Sequence, residues 1–353
     1  KKEKLMSIID LEKVSLTLNR LNIIKDITFS LSKREVISIV GPSGAGKSSI
    51  LRIIAGLTKP TEGYVYFSNK LISSNKNIVP TGQRNIALMF QEDVLFPHLT
   101  VFKNIAFGIE RTPHKEKEKQ VLHYLKEFGL LEKKDYFPNS LSGGEKQRVA
   151  LARVLITKPK ALLMDEPFSN LDSNLRKEIC NYTLETLRKN NIPVIFVTHD
   201  IEEAMSVSDR IIVMKKGKIL QIDSPKKLYN SPKNKCVANM LGSTNQFEIE
   251  ADAKGKIFTP FGSVNCNKCT GINKFCQQKK HFCIIRPEKI IISKRGVKAK
   301  VINKYFLGAS WAYQLDLGAK FPILNITNCK IELKKNQYIR VNASKKDIFI
   351  FQE

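Results

Sequence analysis

The chain has 353 residues, with 59 Lys and Arg against 33 Asp and Glu for a net charge of +26; this length exceeds one ordinary core and predicts two domains. Its longest apolar runs, VISIV (36–40) and VIFV (194–197), fall far short of the roughly 20 residues that span a bilayer, and KKEKLMSIID holds no apolar secretory segment, so the chain is expected to stay in the cytosol. The lysines are scattered without interleaved aromatic residues, which favours a solvated surface, ranks attraction to an anionic membrane face second, and gives no expectation of nucleic-acid binding.

From residue 36 the pattern reads strand (VISIV), glycine-rich loop (GPSGAGKSS, 41–49), then a helix with Ile50, Leu51, Ile53 and Ile54 at helical spacing. The loop fits G-x-x-x-x-G-K-S between a buried strand and a helix, where a phosphate cradle needs it. Gly41, Gly44 and Gly46, with Pro42, Ser43, Ala45 and Ser49 between and beside them, let the backbone N–H groups turn inward at phosphate oxygens, aided by the positive end of the helix. Lys47 would reach the β and γ phosphates and Ser48 would hold magnesium, so ATP and Mg2+ are the expected ligands.

Between Gln91 and Asp165 lies a mainly helical, charge-rich segment, expected to be an inserted subdomain (about 92–160). The apolar strand ALLMDE (161–166) then ends in two carboxylates, at the kind of strand end where α/β sheets place their ligands. Asp165 would orient the magnesium shell and Glu166 would polarise the attacking water. VIFVTHD closes another apolar strand, so His199 should emerge at the same sheet edge, within reach of the γ-phosphate. His98, His114, His123 and His281 are expected on surfaces or loops. Strands alternating with helical patterns such as 172–190 predict a mostly parallel sheet covered by helices.

After Gly217 the character changes. DSPKKLYNSPKNK (223–235) is rich in proline, asparagine and lysine, and beyond about 243 short runs such as HFCIIRPEKIIIS, WAYQLDL, YIRVNAS and DIFIF predict a small barrel-like β domain. The expected boundaries are 1–238 for the nucleotide-binding domain and 239–353 for the β domain.

LSGGEKQRVA (141–150) carries a second glycine pair. Ser142 to Glu145 is S-x-x-E ahead of an apolar-patterned helix, a capping box. Gly143 and Gly144 cost helix stability and leave the first N–H groups uncovered, and uncovered N–H groups at a helix's positive end form an anion site. The loop at 41–49 already surrounds its own phosphates from one side, so the simplest use of the second site is the γ-phosphate of a nucleotide held by a twin copy, with two such sandwiches related by twofold symmetry.

In this order GPSGAGKSS, Gln91 in MFQEDVLFPHLTV, LSGGE, LLMDEP, SNLD (169–172) and VTHD resemble the phosphate loop, Q-loop, signature, carboxylate strand, D-loop and H-loop of an ATP-binding cassette (ABC) ATPase. The resemblance covers about residues 8–235. The region with IRPEKI (285–290) resembles the small β regulatory (TOBE-like) domain appended to importer ATPases of the maltose, polyamine, sulfate and ferric-iron group. It implies an α/β P-loop NTPase with a helical subdomain, followed by a small all-β, OB-like regulatory domain. It also implies that Gln91 touches magnesium and reports to a membrane subunit, and that Asp172 works across the dimer interface. The implied partners are a second copy, transmembrane permease subunits and, indirectly, a periplasmic solute-binding protein, with the chain peripheral on the cytoplasmic face of the inner membrane.

Within that resemblance DEPFSNLD and TLETLRK look most like ferric-iron importer subunits, with polyamine, sulfate or thiosulfate, and sugar importers as alternatives. A soluble ABC ATPase acting on nucleic acid or ribosomes is the reading from another class. Two positions depart from the pattern: Leu18 aligns where an adenine-stacking aromatic is usual, and Glu145 replaces a glutamine, bringing negative charge near phosphate. Cys266, Cys269, Cys276 and Cys283, four of seven cysteines, are expected to be ordinary thiols, with a zinc or iron-sulfur site as the functional alternative.

Overall fold

The computed structural model of the chain describes residues 7–90, 95–169, 171–249, 256–265, 281–318 and 321–352. It divides into two compact units, Lys1–Pro225 and Lys226–Glu353, so residues 226–238 fall with the second unit.

In the first unit, β1 (Ser7–Leu18) and β2 (Leu21–Ser32) form a hairpin whose two-residue turn puts Asn19 and Arg20 at positive φ, the mirror-image turn that matches strand twist. β3 (Val36–Val40), buried throughout, runs into the phosphate loop and α1 (Lys47–Ala55). β4 (Glu62–Phe67) and β5 (Lys70–Ser74) return to the hairpin, giving a four-stranded antiparallel sheet in the order β2-β1-β4-β5. The apolar face of α1, Ile50, Leu51, Ile53 and Ile54, is fully buried in one core with residues of both sheets. Arg84, also buried, closes the end of this helix: its guanidinium donates to the carbonyls of Ile53, Ile54, Ile72 and Val79 and to Ser73 Oγ.

β6 (Ile86–Met89) is followed by α2 (Val101–Ala106), α3 (His114–Glu127) and α4 (Gly143–Leu155), and only then by its parallel neighbour β7 (Ala161–Asp165). The helices therefore form an insertion between adjacent strands, with Val121, Leu125, Phe128, Val149 and Leu151 in a second core. α5 (Ser173–Lys189), β8 (Val194–Val197), α6 (Ile201–Val207), β9 (Arg210–Lys215) and β10 (Lys218–Asp223) complete a six-stranded sheet in the order β10-β9-β3-β8-β7-β6. Five strands run parallel and β10 is antiparallel to β9. Among the described residues no helix is long and apolar enough to cross a membrane.

α7 (Pro225–Asn230) starts at the last residue of the first unit and runs into the second, where α8 (Lys235–Met240) follows. Strands β11 (Asn245–Ile249), β12 (Lys256–Thr259), β13 (Gly262–Asn265), β14 (His281–Ile285), β15 (Ile290–Phe306), β16 (Trp311–Asp316), β17 (Leu324–Cys329), β18 (Tyr338–Ala343) and β19 (Ile348–Gln352) follow. They form the sheets β11-β14-β19 and β17-β16-β15-β18 and the hairpin β12-β13, which share one apolar core. His281, expected on a surface or loop, is instead buried in β14. It opens an alternating strand whose inward positions continue with Cys283 and Ile285, and period two carries the imidazole inward with them.

Candidate nucleotide site

The strand ends fix the site. Val197 of β8 pairs with both Ile39 of β3 and Asp165 of β7, so three neighbouring parallel strands finish at one level. The residues just beyond them, Gly41 to Lys47, Asp165 with Glu166, and Thr198 with His199, leave the same sheet edge. In the loop, Gly46 has φ +92° and a Cβ there would lie 2.4 Å from Ile24 Cγ2, while at Gly41 a Cβ would lie 2.3 Å from the carbonyl oxygen of Met214. Both positions exclude any side chain by packing, and Gly46 by conformation as well.

Lys47 is buried, and its Nζ donates to the carbonyls of Gly41 and Pro42 at 2.9 and 3.1 Å, which holds the charge over the loop. Ser48 Oγ donates to Asp165 Oδ1 at 2.9 Å. These two oxygens, from a helix start and a strand end, are the hard donors that magnesium prefers, so the residues present fit that ion. Burial raises the Asp165 carboxyl above its ordinary range, against the Ser48 hydrogen bond that lowers it. No cluster of three or more His, Cys, Asp or Glu suited to a metal occurs among the described residues.

Glu166 has φ +46°, a conformation that costs a non-glycine residue about 1–2 kcal/mol. Its N–H donates to the Val197 carbonyl at 3.0 Å, and its Oε2 lies 3.2 Å from His199 Nδ1. The two side chains are unequally open, His199 58% exposed and Glu166 23%.

Ser142 and Gly143 are exposed and Gly144 is buried. The capping box is complete, with Glu145 N–H donating to Ser142 Oγ and Ser142 N–H to Glu145 Oε2. A Cβ at Gly144 would meet Leu175 and Ile179 of α5 at 3.3–3.4 Å, and one at Gly143 would meet Leu171 at 3.1 Å. Packing inside the chain therefore already favours the absence of side chains here, a reason the sequence does not reveal. Lys133 Nζ donates to Glu145 Oε1 at 2.6 Å. That bond, then the Ser142 N–H, holds the carboxyl below the usual glutamate range, and the departure at 145 brings its own counter-charge.

No hydrogen bond or ion pair among the described residues joins Ser142–Gly144 to the phosphate loop, whereas Ser48 is bonded to Asp165 and Glu166 to His199. Asp172 is exposed and caps α5, accepting from Leu175 N–H at 3.0 Å. Leu18 is 48% exposed at the end of β1. Gln91 lies outside the described residues, as do Cys266, Cys269 and Cys276. Cys283 is a buried free thiol pushed up to about 12 by burial, which disfavours the thiolate a metal would need.

Sequence reasoning missed Arg176. From the first turn of α5 its Nε donates to the Phe168 carbonyl at 3.1 Å and its Nη2 to the carbonyls of Ser169 and Leu171 at 3.4 and 2.9 Å. Its Nη1 lies 3.5 Å from Asp200 Oδ2. Asp200 follows His199 and caps α6 through Glu203 N–H. One guanidinium thus ties the segment after Glu166 to the turn after His199. An arginine early in a polar helix gives no sequence signal of this role.

A family model described as ABC transporter matches residues 24–169. Relatives include the Fe(3+) ions import ATP-binding protein FbpC of Fusobacterium nucleatum, 38% identical, with 93% of this chain and 89% of that protein covered. The spermidine/putrescine import ATP-binding protein PotA of Mycoplasma capricolum is also 38% identical, with 89% of each chain covered. Among solved structures, cbiO1 from Clostridium perfringens, part of the ABC transporter complex cbiONQ, is similar with a TM-score of 0.59 and 32% identity over 64% of this chain and 91% of its own. A dimeric post-hydrolysis state of the ATP-binding cassette MJ0796 bound to ADP and Pi is similar with a TM-score of 0.54 and 32% identity over 62% of this chain and 99% of its own.

Proposed function

Because this chain belongs to the ABC transporter family, we propose that it is the ATP-hydrolysing subunit of an importer, working as a pair of copies, with ferric iron as the cargo. The observation that carries this reading is the division of the site. Lys47, Ser48, Asp165, Glu166 and His199 gather at one sheet edge, while among the described residues the exposed Ser142 and Gly143 make no hydrogen bond or ion pair to the phosphate loop. Each copy then offers its loop to one nucleotide and its signature helix to the partner's.

In the closed pair the loop N–H groups and Lys47 bind the β and γ phosphates of ATP. Ser48 and Asp165 would hold magnesium, Gln91 would touch it, and the ion would neutralise phosphate charge. Glu166 orients the attacking water and accepts its proton, and His199 hydrogen-bonds the γ-phosphate beside it. Ser142, Gly143 and Gly144 close the pocket from the other copy, and Asp172 faces the same seam. ATP draws the two copies together and hydrolysis releases them, a two-state switch that permease subunits in the membrane convert into uptake. The chain sits peripherally on the cytoplasmic face of the inner membrane, and the periplasmic solute-binding protein acts on it only through the permease.

Support for iron comes from the FbpC relative and from the DEPFSNLD and TLETLRK segments. PotA relatives of equal identity favour a second reading, polyamine uptake. The test is ATP turnover by this chain with its permease subunits in proteoliposomes loaded with either a ferric-binding or a spermidine-binding protein. Ferric-loaded protein is expected to stimulate turnover several-fold. Stimulation by the spermidine-loaded protein alone would transfer the assignment to polyamines, and stimulation by neither would reject both.

A further inference from the structure

Two arginines, Arg84 and Arg286, are buried among the described residues, and only one is fully engaged. Arg84 uses Nε, Nη1 and Nη2 in five hydrogen bonds. Arg286, in the second unit and 1% exposed, donates only from Nη1, to the carbonyls of Gly242 and Ser243 at 3.0 and 3.3 Å. Its Nε and Nη2 are buried with no partner among the described residues. Buried charged donors are normally paired. Among the described residues no carboxylate lies within ion-pair distance of this guanidinium. The nearby Glu288 accepts instead from the hydroxyl of Tyr229, over whose ring the guanidinium sits at 4.2 Å.

Arg286 lines a cavity of about 260 Å³ with Tyr229, Asn230, Lys289, Lys346, Asp347 and Phe349. Lys289 lies 3.7 Å from Asp347, so the three lining cations exceed the one lining carboxylate by two charges, and by one when the adjacent Glu288, whose charge acts on Arg286, is counted. Nε and Nη2 form the side edge of a guanidinium, the fork that grips two oxygens of one anion at once. A net positive lining suits a phosphate monoester, which carries about −1.5 to −2 near neutral pH. The Tyr229 and Phe349 rings offer apolar wall to an organic body, and the volume lies just below the range of pockets for drug-sized ligands.

The structure assigns to this cavity a small organic phosphate, its charge met by Lys289, Lys346 and Arg286, with a small shift of the cavity wall bringing its oxygens to the covered Nε and Nη2 of Arg286. The site lies wholly in the second unit and is independent of the transport reading above.

The test is equilibrium dialysis of the full chain against radiolabelled glycerol 3-phosphate, with the nucleotide site kept saturated by magnesium and a non-hydrolysable ATP analogue. Binding of one glycerol 3-phosphate per chain is expected, weakened at least tenfold in Arg286→Lys, whose point charge cannot form the fork, and several-fold in Lys346→Glu. Lys346 is exposed, so that variant keeps the test open if Arg286→Lys fails to fold. Absence of binding by the native chain, or binding unchanged in the folded variants, would overturn the assignment. Inorganic phosphate competing as tightly as glycerol 3-phosphate would overturn the organic part of it.

Discussion

Glu166 Oε2 and His199 Nδ1 lie 3.2 Å apart although 33 residues separate them in the chain. The pair exists because β7 and β8 are parallel neighbours in register, Asp165 opposite Val197, so the residues beyond each strand leave the sheet side by side. Removing the carboxylate's charge while keeping its shape isolates the proton-accepting step. Glu166→Gln is expected to bind ATP and to accumulate as a dimer, with turnover reduced about 10²- to 10⁴-fold. Steady-state ATPase assays beside size-exclusion chromatography with ATP check both halves of that expectation.

Arg176 acts on the site through others, as a positioning residue. Arg176→Met should free the carbonyls of Phe168, Ser169 and Leu171 and release Asp200. Turnover is expected to fall at least tenfold with the KM for ATP little changed, since the phosphate loop is untouched, and Arg176→Lys should recover only part of the loss because a lysine cannot fork. A KM that rises in step with the loss of kcat would contradict this role.

The loop glycines are not equivalent. Gly44 has φ +74° and open space within 4 Å of where a methyl group would sit, whereas a Cβ at Gly46 would lie 2.4 Å from Ile24 Cγ2 and 2.9 Å from the Ile23 carbonyl. Gly44→Ala should carry only the conformational cost, about 1–2 kcal/mol, and still bind ATP. Gly46→Ala should lose ATP binding, because backbone cannot yield as a side chain would. Fluorescent-nucleotide titration of the two variants distinguishes them.

The Lys133–Glu145 bond gives a pH-dependent expectation. A carboxyl held below its ordinary range adds stability above the unfolded-chain value, near 4.3, and that stability is lost as pH falls through the folded value. Lys133→Met should therefore cost about 0.5–1 kcal/mol at pH 7, a modest amount because Lys133 is 38% exposed. The difference from the native chain should start to narrow as pH falls below about 4.3 and close once pH is below the lowered value of the folded carboxyl. Urea unfolding across that pH range measures it.

The parts of the fold nearest the phosphates are readable because their signals are local. β3, β7 and β8 are short, largely apolar runs ending directly in GPSGAGKSS, DE and THD, so strand, edge and chemistry stand in one stretch of sequence. The sheet of β1, β2, β4 and β5 is not readable in the same way, since repeated register shifts in the β1–β2 ladder interrupt the alternation that marks a half-buried strand. His281 differs from expectation because its inward direction is set by the register of β14 against β11 and β19. Arg176 and Lys133 escape notice for a related reason: their partners lie across loops, and neither residue type nor spacing announces a pair made by packing. Gly143 and Gly144 show the mixed case, where the motif is legible but the close approach of α5 is not.

The proposed function requires two copies for a complete site, and the most direct measurement of that requirement is ATP turnover per chain as a function of protein concentration. Specific activity is expected to rise with concentration as dimers form and to vanish on dilution to monomers. Constant specific activity in a preparation shown by sedimentation to be monomeric would contradict the shared site.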